Sequence, residues 1–91
     1  MSSVDVVRLR DLMRLGEGSP EVTVALIDGP VALDHPDLGA ANIRQISGKL
    51  KGSCTLADSL ACTHGTFVAG ILSARRGSVA PAICPGCTLL L

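Results

Sequence analysis

The sequence predicts an α/β fold in which a mainly parallel sheet is flanked by helices. An uninterrupted apolar run at residues 22–27, V-T-V-A-L-I, is typical of a strand that a parallel sheet buries on both faces. Two other stretches have apolar residues at helical spacing. The chain is 47% hydrophobic but holds a single aromatic residue, Phe67, so aliphatic side chains must form most of the core. Helix-covered parallel sheets have this composition.

The length indicates part of a larger domain. Ninety-one residues are fewer than the roughly 100–150 of an average domain, and the sequence ends on three leucines inside a predicted strand. We therefore expect a truncated chain, because an apolar strand edge is seldom left exposed at the end of a domain. The predicted division is an N-terminal helix and linker, residues 1–21, followed by the N-terminal portion of a larger domain, residues 22–91.

The elements are predicted in order along the chain. Apolar spacing indicates a helix over 5–15, with Ser2 or Ser3 as N-cap and Gly16 at its end. The strand at 22–27 stops at Asp28-Gly29-Pro30, because glycine and proline break strands. A turn follows at His35-Pro36-Asp37 and a weak strand with a loop at 45–56. A second helix is predicted over 64–76, closed by Gly77, and a buried strand begins at 87–91.

Charge and hydropathy exclude several classes of function. Eight basic and eight acidic side chains give zero net charge without a basic stripe, so nucleic acid is not an expected partner. Arg75 and Arg76 are read as complements to the dipole of the helix that they close. No apolar run approaches the ~20 residues of a membrane span, and the N-terminus lacks a secretion signal. We therefore expect no membrane partner, a cytoplasmic location, and four cysteines that are thiols rather than disulfides.

Two side chains can form half of a catalytic triad. Asp28 follows a buried strand, where α/β proteins gather catalytic groups, and His64 is expected just before or at the start of a helix. A carboxylate that accepts the Nδ1–H of a histidine fixes its tautomer, so the other nitrogen can take a proton from a nucleophile. Taken alone, Asp28 is more often a turn former and His64 a helix N-terminal residue.

Together, the segments V-A-L-I-D-G-P-V-A-L-D-H-P-D-L (24–38) and H-G-T-F-V-A-G (64–70) resemble two motifs of subtilisin-like serine peptidases. In those enzymes an aspartate ends a strand before an H-P-D-L turn, and a histidine opens an H-G-T-x-V-A-G helix. The order of aspartate before histidine also agrees. The details D-G-P, H-G-T-F and A-P-A-I-C-P-G-C-T-L-L are similar to the cyanobactin-maturation branch, whose members cleave precursor peptides.

The resemblance implies a serine endopeptidase acting on peptides or precursor peptides, with His64 as general acid–base and Asp28 as its partner. The family's G-T-S-x-A nucleophile motif is absent from the sequence, and Asn42 comes too early to be the oxyanion-hole asparagine. We therefore expect the 91 residues alone to be inactive. Subtilases often bind calcium, but no acidic cluster indicates a site, so no cofactor is predicted. The serines that lack the nucleophile setting are Ser47, Ser53, Ser59, Ser73 and Ser78.

Other readings of the motifs remain open. Cys84-Pro-Gly-Cys87 has the spacing of redox dithiols and zinc knuckles, and with Cys54 and Cys62 it would make a four-sulfur zinc site. A redox pair, however, normally lies at a helix N-terminus, and this one precedes a strand. A non-catalytic, subtilase-like binding module is a further alternative. Of the H-P-D-L residues, His35 is expected to brace the turn and Asp37 to cap it through its own backbone amides.

Overall fold

A computed structural model describes residues 3–39, 41–46, 54 and 59–91. The order of its elements is helix, helix, strand, 3-10 turn, strand, helix, strand, which confirms the predicted α/β fold. The elements are α1 (Ser3–Val6), α2 (Arg10–Leu15), β1 (Thr23–Ala25), the 3-10 turn (Pro36–Leu38), β2 (Ile43–Arg44), α3 (Leu60–Ser73) and β3 (Thr88–Leu90).

The three described strands form a parallel sheet in the order β1-β3-β2. Thr23 lies opposite Thr88, and Ile43 lies opposite Leu89, which is only 1% exposed. The core forms where the central strand meets α3 and the 3-10 turn, and its buried members are Leu38, Ala69 and Leu89. The sheet thus has the parallel topology that places the carboxyl ends of all three strands at one edge.

The first predicted strand is shorter and more exposed than expected. The prediction covered 22–27, whereas β1 spans Thr23–Ala25. Thr23 and Ala25 are exposed, and Ile27 is 97% exposed, so the prediction that both faces of the strand are buried is wrong for this structure. Side chains alternate between the faces of a strand, and here Val24 and Leu26 pack against the core whereas the opposite face, with Thr23, Ala25 and Ile27, is exposed. The C-terminal strand was predicted within 87–91 and is confirmed there.

The predicted N-terminal helix is broken into two. Arg8 has a φ of 57°, a left-handed conformation that interrupts the helical hydrogen bonds between α1 and α2. Gly16 follows Leu15 as the C-cap, as predicted. Of the two candidate N-caps, Ser2 lies outside the described residues and Ser3 already belongs to α1. Spacing of apolar residues cannot reveal such a break, because both short helices keep the same period.

The second predicted helix begins and ends earlier than expected. α3 begins at Leu60, because the hydroxyl oxygen of Ser59 accepts the backbone N–H of Cys62 at 3.2 Å and caps the helix. It ends at Ser73, so Arg75 and Arg76 do not belong to its last turn. The prediction that these arginines close the helix is therefore wrong.

Both arginines bind other parts of the chain instead. Arg75 Nε lies 3.4 Å from Asp37 Oδ1, which connects the end of α3 to the 3-10 turn. The guanidinium of Arg76 donates to four backbone carbonyls on two segments, those of Met13, Gly16, Ala82 and Ile83, at 2.8–3.0 Å. A guanidinium has five N–H donors in a fixed fork, which suits this bridging role. Arg76 thus joins the end of α2 to the loop that precedes β3.

The expectation that all four cysteines are thiols is wrong for one pair. Cys54 and Cys62 form a disulfide, their Cα atoms 5.5 Å apart, whereas Cys84 and Cys87 carry free thiols. The bond anchors residue 54 to the first turn of α3, a proximity that sequence spacing alone does not disclose. The predicted weak strand at 45–56 lies mostly outside the described residues, and β2 comes just before it.

Candidate active site

Asp28 lies at the carboxyl end of β1, in the turn that ends the strand. The chain continues from Ala25 through Leu26, whose N–H still bonds the carbonyl of Leu90 at 2.9 Å, and then turns at Asp28-Gly29. Asp28 Oδ1 accepts the backbone N–H of Gly29 at 2.6 Å. One carboxylate oxygen thus fixes the turn, and the other is left to face a second group.

That second group is His64, which the structure brings to the same edge of the sheet. His64 Nε2 lies 3.1 Å from Asp28 Oδ2. The Asp28 side chain is 24% exposed and the His64 side chain 64%, so the carboxylate is the more enclosed partner. The sequence predicts Nδ1 at the carboxylate, whereas Nε2 is the ring nitrogen that lies near Asp28 Oδ2 in this structure. Either ring nitrogen can donate to a carboxylate.

A close approach of two backbones holds the pair together. A Cβ atom on Gly65 would overlap the carbonyl oxygen of Pro30 and lie 2.7 Å from that of Gly29. A Cβ atom on Gly29 would lie 2.8 Å from the carbonyl oxygen of Ala61. Only glycine fits at both positions, and this lets α3 lie directly against the turn that carries Asp28. The glycines of the D-G-P and H-G-T sequences therefore set the spacing of the site.

Thr66 provides a hydrogen bond beside this contact that the sequence did not assign. Its hydroxyl oxygen accepts the backbone N–H of Ala32 at 2.8 Å, linking α3 to the loop after Asp28. Thr66 belongs to the H-G-T motif, which is the only feature of the sequence that pointed to this residue. Its bonding partner could not be identified, because the loop and the helix are far apart in the sequence.

The 3-10 turn beside the site has a structural role. His35 Nδ1 accepts the backbone N–H of Asp37 at 3.1 Å, so His35 braces the turn as predicted. Asp37 does not cap the turn through its own amides. Its carboxylate faces Arg75 instead, and its carbonyl accepts the Arg75 N–H at 3.0 Å. The stronger attraction of a cation explains this difference.

The residues excluded as nucleophile or oxyanion donor have other partners or positions. Ser59 caps α3, and Ser73 is buried within it. Asn42 Nδ2 donates to Thr88 Oγ1 at 2.7 Å, within the sheet. Ser78 is half-buried in the loop after α3, and Ser47 and Ser53 lie outside the described residues. In the part of the chain that the structure describes, no cluster of three or more His, Cys, Asp or Glu side chains is suited to a metal ion.

The parallel three-stranded sheet and its helices match part of the subtilisin-like α/β fold. No protein-family model matches the sequence, and no curated protein is significantly similar to it. Solved structures are similar, and they are cyanobactin-maturation protease domains, which are subtilisin-like. The resemblance inferred from the two sequence motifs is therefore confirmed by the structural neighbours.

Three of these neighbours show the extent of the likeness. A mutant of the protease domain of PatA has a TM-score of 0.73 and 31% identity, and the match covers 81% of this chain and 27% of that one. The prenylagaramide maturation protease PagA has a TM-score of 0.69 and 28% identity over 91% of this chain and 26% of its own. The patellamide maturation protease PatA has a TM-score of 0.60 and 29% identity over 81% and 25%. The chain thus spans about a quarter of these solved proteins.

Among the described residues, no helix is both long enough and apolar enough to cross a membrane.

Proposed function

We propose that this chain supplies the aspartate and the histidine of a serine-type endopeptidase. The observation that carries the proposal is the 3.1 Å approach of Asp28 Oδ2 to His64 Nε2 within a fold similar to known proteases. Sequence identity of about 30% with PatA supports transfer of the general activity as well as the fold. The serine that attacks the scissile carbonyl would come from polypeptide outside these 91 residues.

In this mechanism the two side chains have separate roles. The Asp28 carboxylate, held by the N–H of Gly29, orients the imidazole and stabilises its protonated form. His64 takes the proton from the serine as general base and returns it to the leaving amine as general acid. Asp28 engages one ring nitrogen, so the other is left to exchange the proton, and the 64% exposure of the ring leaves room for a nucleophile and a peptide.

The proposed substrate is a peptide, and more narrowly a precursor peptide. PatA and PagA are named as maturation proteases of patellamide and prenylagaramide. The resemblance of the D-G-P and H-G-T-F sequences to the cyanobactin-maturation branch supports the same substrate class.

The activity test uses the chain extended by its downstream coding sequence through a G-T-S-x-A motif. The extended protein should cleave peptides and react with a serine-directed phosphonate, whereas the 91 residues alone should do neither. The variant His64→Ala should lose activity by several orders of magnitude, as triad variants do. His35→Ala is the matched control, since it changes a histidine of the neighbouring turn that does not contact Asp28. Full activity of the His64 variant would refute the triad, and an extended protein without activity would favour the binding module.

A second test examines the pair in the chain itself. At a pH where the imidazoles are neutral, the Nε2 approach to Asp28 predicts that His64 carries its proton on Nε2. Nitrogen-15 NMR of the imidazoles reports this tautomer, and Asp28→Ala should convert His64 to a mixture of the two. His35 is an internal reference, because its Nδ1 accepts an N–H from Asp37 and so must keep its proton on Nε2 in both proteins. An unchanged His64 spectrum in the variant would show that the two side chains do not interact.

A further inference from the structure

We propose that Cys84 and Cys87 form a reversible dithiol–disulfide couple that exchanges with small-molecule disulfides such as oxidised glutathione. The couple is separate from the Asp28–His64 pair and does not depend on the proposed peptidase activity. It also involves a different pair from Cys54 and Cys62, which already form a disulfide in the structure, whereas Cys84 and Cys87 are free thiols.

Cys84 and Cys87 lie at the two ends of a tight turn. The backbone N–H of Cys87 donates to the carbonyl of Cys84 at 3.0 Å, which closes the C-P-G-C turn just before β3. A Cβ atom on Gly18 would meet both Cys87 Sγ and Cys84 Cβ, so the two side chains are neighbours at this turn. A disulfide therefore requires little movement of the backbone, which is the usual obstacle to forming one.

Residues 17–18, which follow α2, cover the two cysteines on one side. Gly18, with a φ of 93°, lies so close to Cys87 that a Cβ atom would overlap its Sγ atom and lie 3.3 Å from Cys84 Cβ. The N–H of Gly86 donates to the carbonyl of Glu17 at 2.7 Å. Only glycine adopts this φ at such close range, so residues 17–18 are fitted to the dithiol turn. Together these contacts hold the two thiols in place in the folded chain.

Exposure assigns the order of the exchange. Cys84 is half-buried, whereas Cys87 is buried, so Cys84 is the thiol that meets a disulfide from solution. Its thiolate attacks one sulfur of the oxidised reagent, a mixed disulfide forms on Cys84, and one thiol of the reagent leaves. The Cys87 thiolate then attacks the Cys84 sulfur and expels the second thiol. Two protein thiols are oxidised, and one reagent disulfide is reduced to two thiols.

The surroundings make this couple slow rather than catalytic. No helix begins at Cys84, so the pair lacks the helix N-terminus that activates the thiols of disulfide oxidoreductases. Burial raises the pKa of the Cys84 thiol, the neighbouring Cys87 raises it further, and the cation of Arg76 opposes both effects. The thiolate is therefore scarce at neutral pH. A slow couple is suited to responding to the redox state of its surroundings, and not to turning over substrates.

Peptide mapping of the unmodified chain tests the proposal. Trypsin cleavage after Lys51, Arg75 and Arg76 places Cys54 and Cys62 on one peptide and Cys84 and Cys87 on another. The folded protein is equilibrated at a series of ratios of reduced to oxidised glutathione, the remaining thiols are alkylated, and both peptides are weighed. We expect the peptide beginning at Gly77 to change from two alkylated thiols to an internal disulfide as the ratio falls, and to return when the ratio is restored. Two alkylated thiols at every ratio would overturn the proposal.

Single variants test the order of attack. Cys87→Ser should accumulate a stable mixed disulfide with glutathione on Cys84, since the resolving thiol is gone. Cys84→Ser should acquire glutathione roughly tenfold more slowly or worse, because Cys87 is buried. Equal rates for the two variants would overturn the assignment of Cys84 as the entry point. Far-UV circular dichroism of each variant, compared with the unmodified chain, shows whether it is folded.

Discussion

Gly65 lies so close to Gly29 that a Cβ atom added at Gly65 would be 2.7 Å from the carbonyl oxygen of Gly29. This close approach of the two backbones lets α3 lie against the turn that holds Asp28. Each glycine belongs to a motif that also carries one member of the candidate catalytic pair. The distance between Asp28 and His64 is therefore set by the absence of two side chains. The same relationship makes the backbone contact testable without touching either catalytic candidate.

Replacing Gly65 with alanine should separate α3 from the Asp28 turn. The added methyl group overlaps the carbonyl oxygens of Gly29 and Pro30, which cannot rotate away, so we expect a loss of about 1–3 kcal/mol in unfolding free energy. Gly70→Ala is the matched control on the same helix, since nothing lies within 4 Å of a Cβ atom there. It should be neutral or stabilise by up to ~1 kcal/mol through helix propensity. Denaturant unfolding measures both, and equal effects would show that the close approach is not tight.

Arg76 should contribute far more to stability than Arg75. Removing the Arg76 side chain by substitution with alanine leaves four carbonyl groups without their donor, and we expect a cost of about 2–4 kcal/mol. Arg75→Ala removes a partly exposed ion pair with Asp37 and should cost at most ~1 kcal/mol. Thermal unfolding of the two variants compares them directly. A larger loss for Arg75 would contradict the bridging role of Arg76.

Reduction of the Cys54–Cys62 disulfide should destabilise the chain by about 2–3 kcal/mol, because the bond closes a short loop in the unfolded state. Unfolding is measured with and without a phosphine reductant. The double variant Cys54→Ser, Cys62→Ser should start from the lower stability and show no further change on reduction. A wild-type chain that the reductant leaves unchanged, with the bond shown to be broken by alkylation, would contradict this expectation.

Alkaline pH should weaken the folded chain through Cys84. Because its pKa is higher in the folded state than in the unfolded state, the protonated thiol is favoured by folding. Its contribution is fully present below the ordinary thiol pKa of about 8.5, and is lost as the pH rises through the folded value. Unfolding free energy measured at increasing pH from about 7.5 should therefore decline more steeply for the wild type than for Cys84→Ser. Parallel curves would show that the thiol is not linked to folding.

The elements and candidate residues that local sequence patterns define could be predicted from the sequence. The apolar run at 22–27 indicated the first strand, and Gly16 indicated the end of α2. Two motifs indicated Asp28 and His64 as the candidate catalytic pair. These features depend on residues close together in the chain. The prediction of a helix over 64–76 was correct in its type of element but not in its bounds. Ser59 caps the helix and sets its start, and apolar spacing does not show a cap.

The rest was decided by contacts between distant segments. Arg76 binds the end of α2 rather than closing α3, and Asp37 pairs with Arg75 rather than with its own turn. Cys54 forms a disulfide with Cys62, although the expected cytoplasmic location favours thiols. The imidazole nitrogen that faces Asp28 depends on how α3 lies against the turn. By itself the sequence determined which residues are candidates for the chemistry, because residue type and local spacing can be read from it. Only the tertiary structure decided their partners, because donors, acceptors and thiols can interact only with groups that folding brings within a few ångströms.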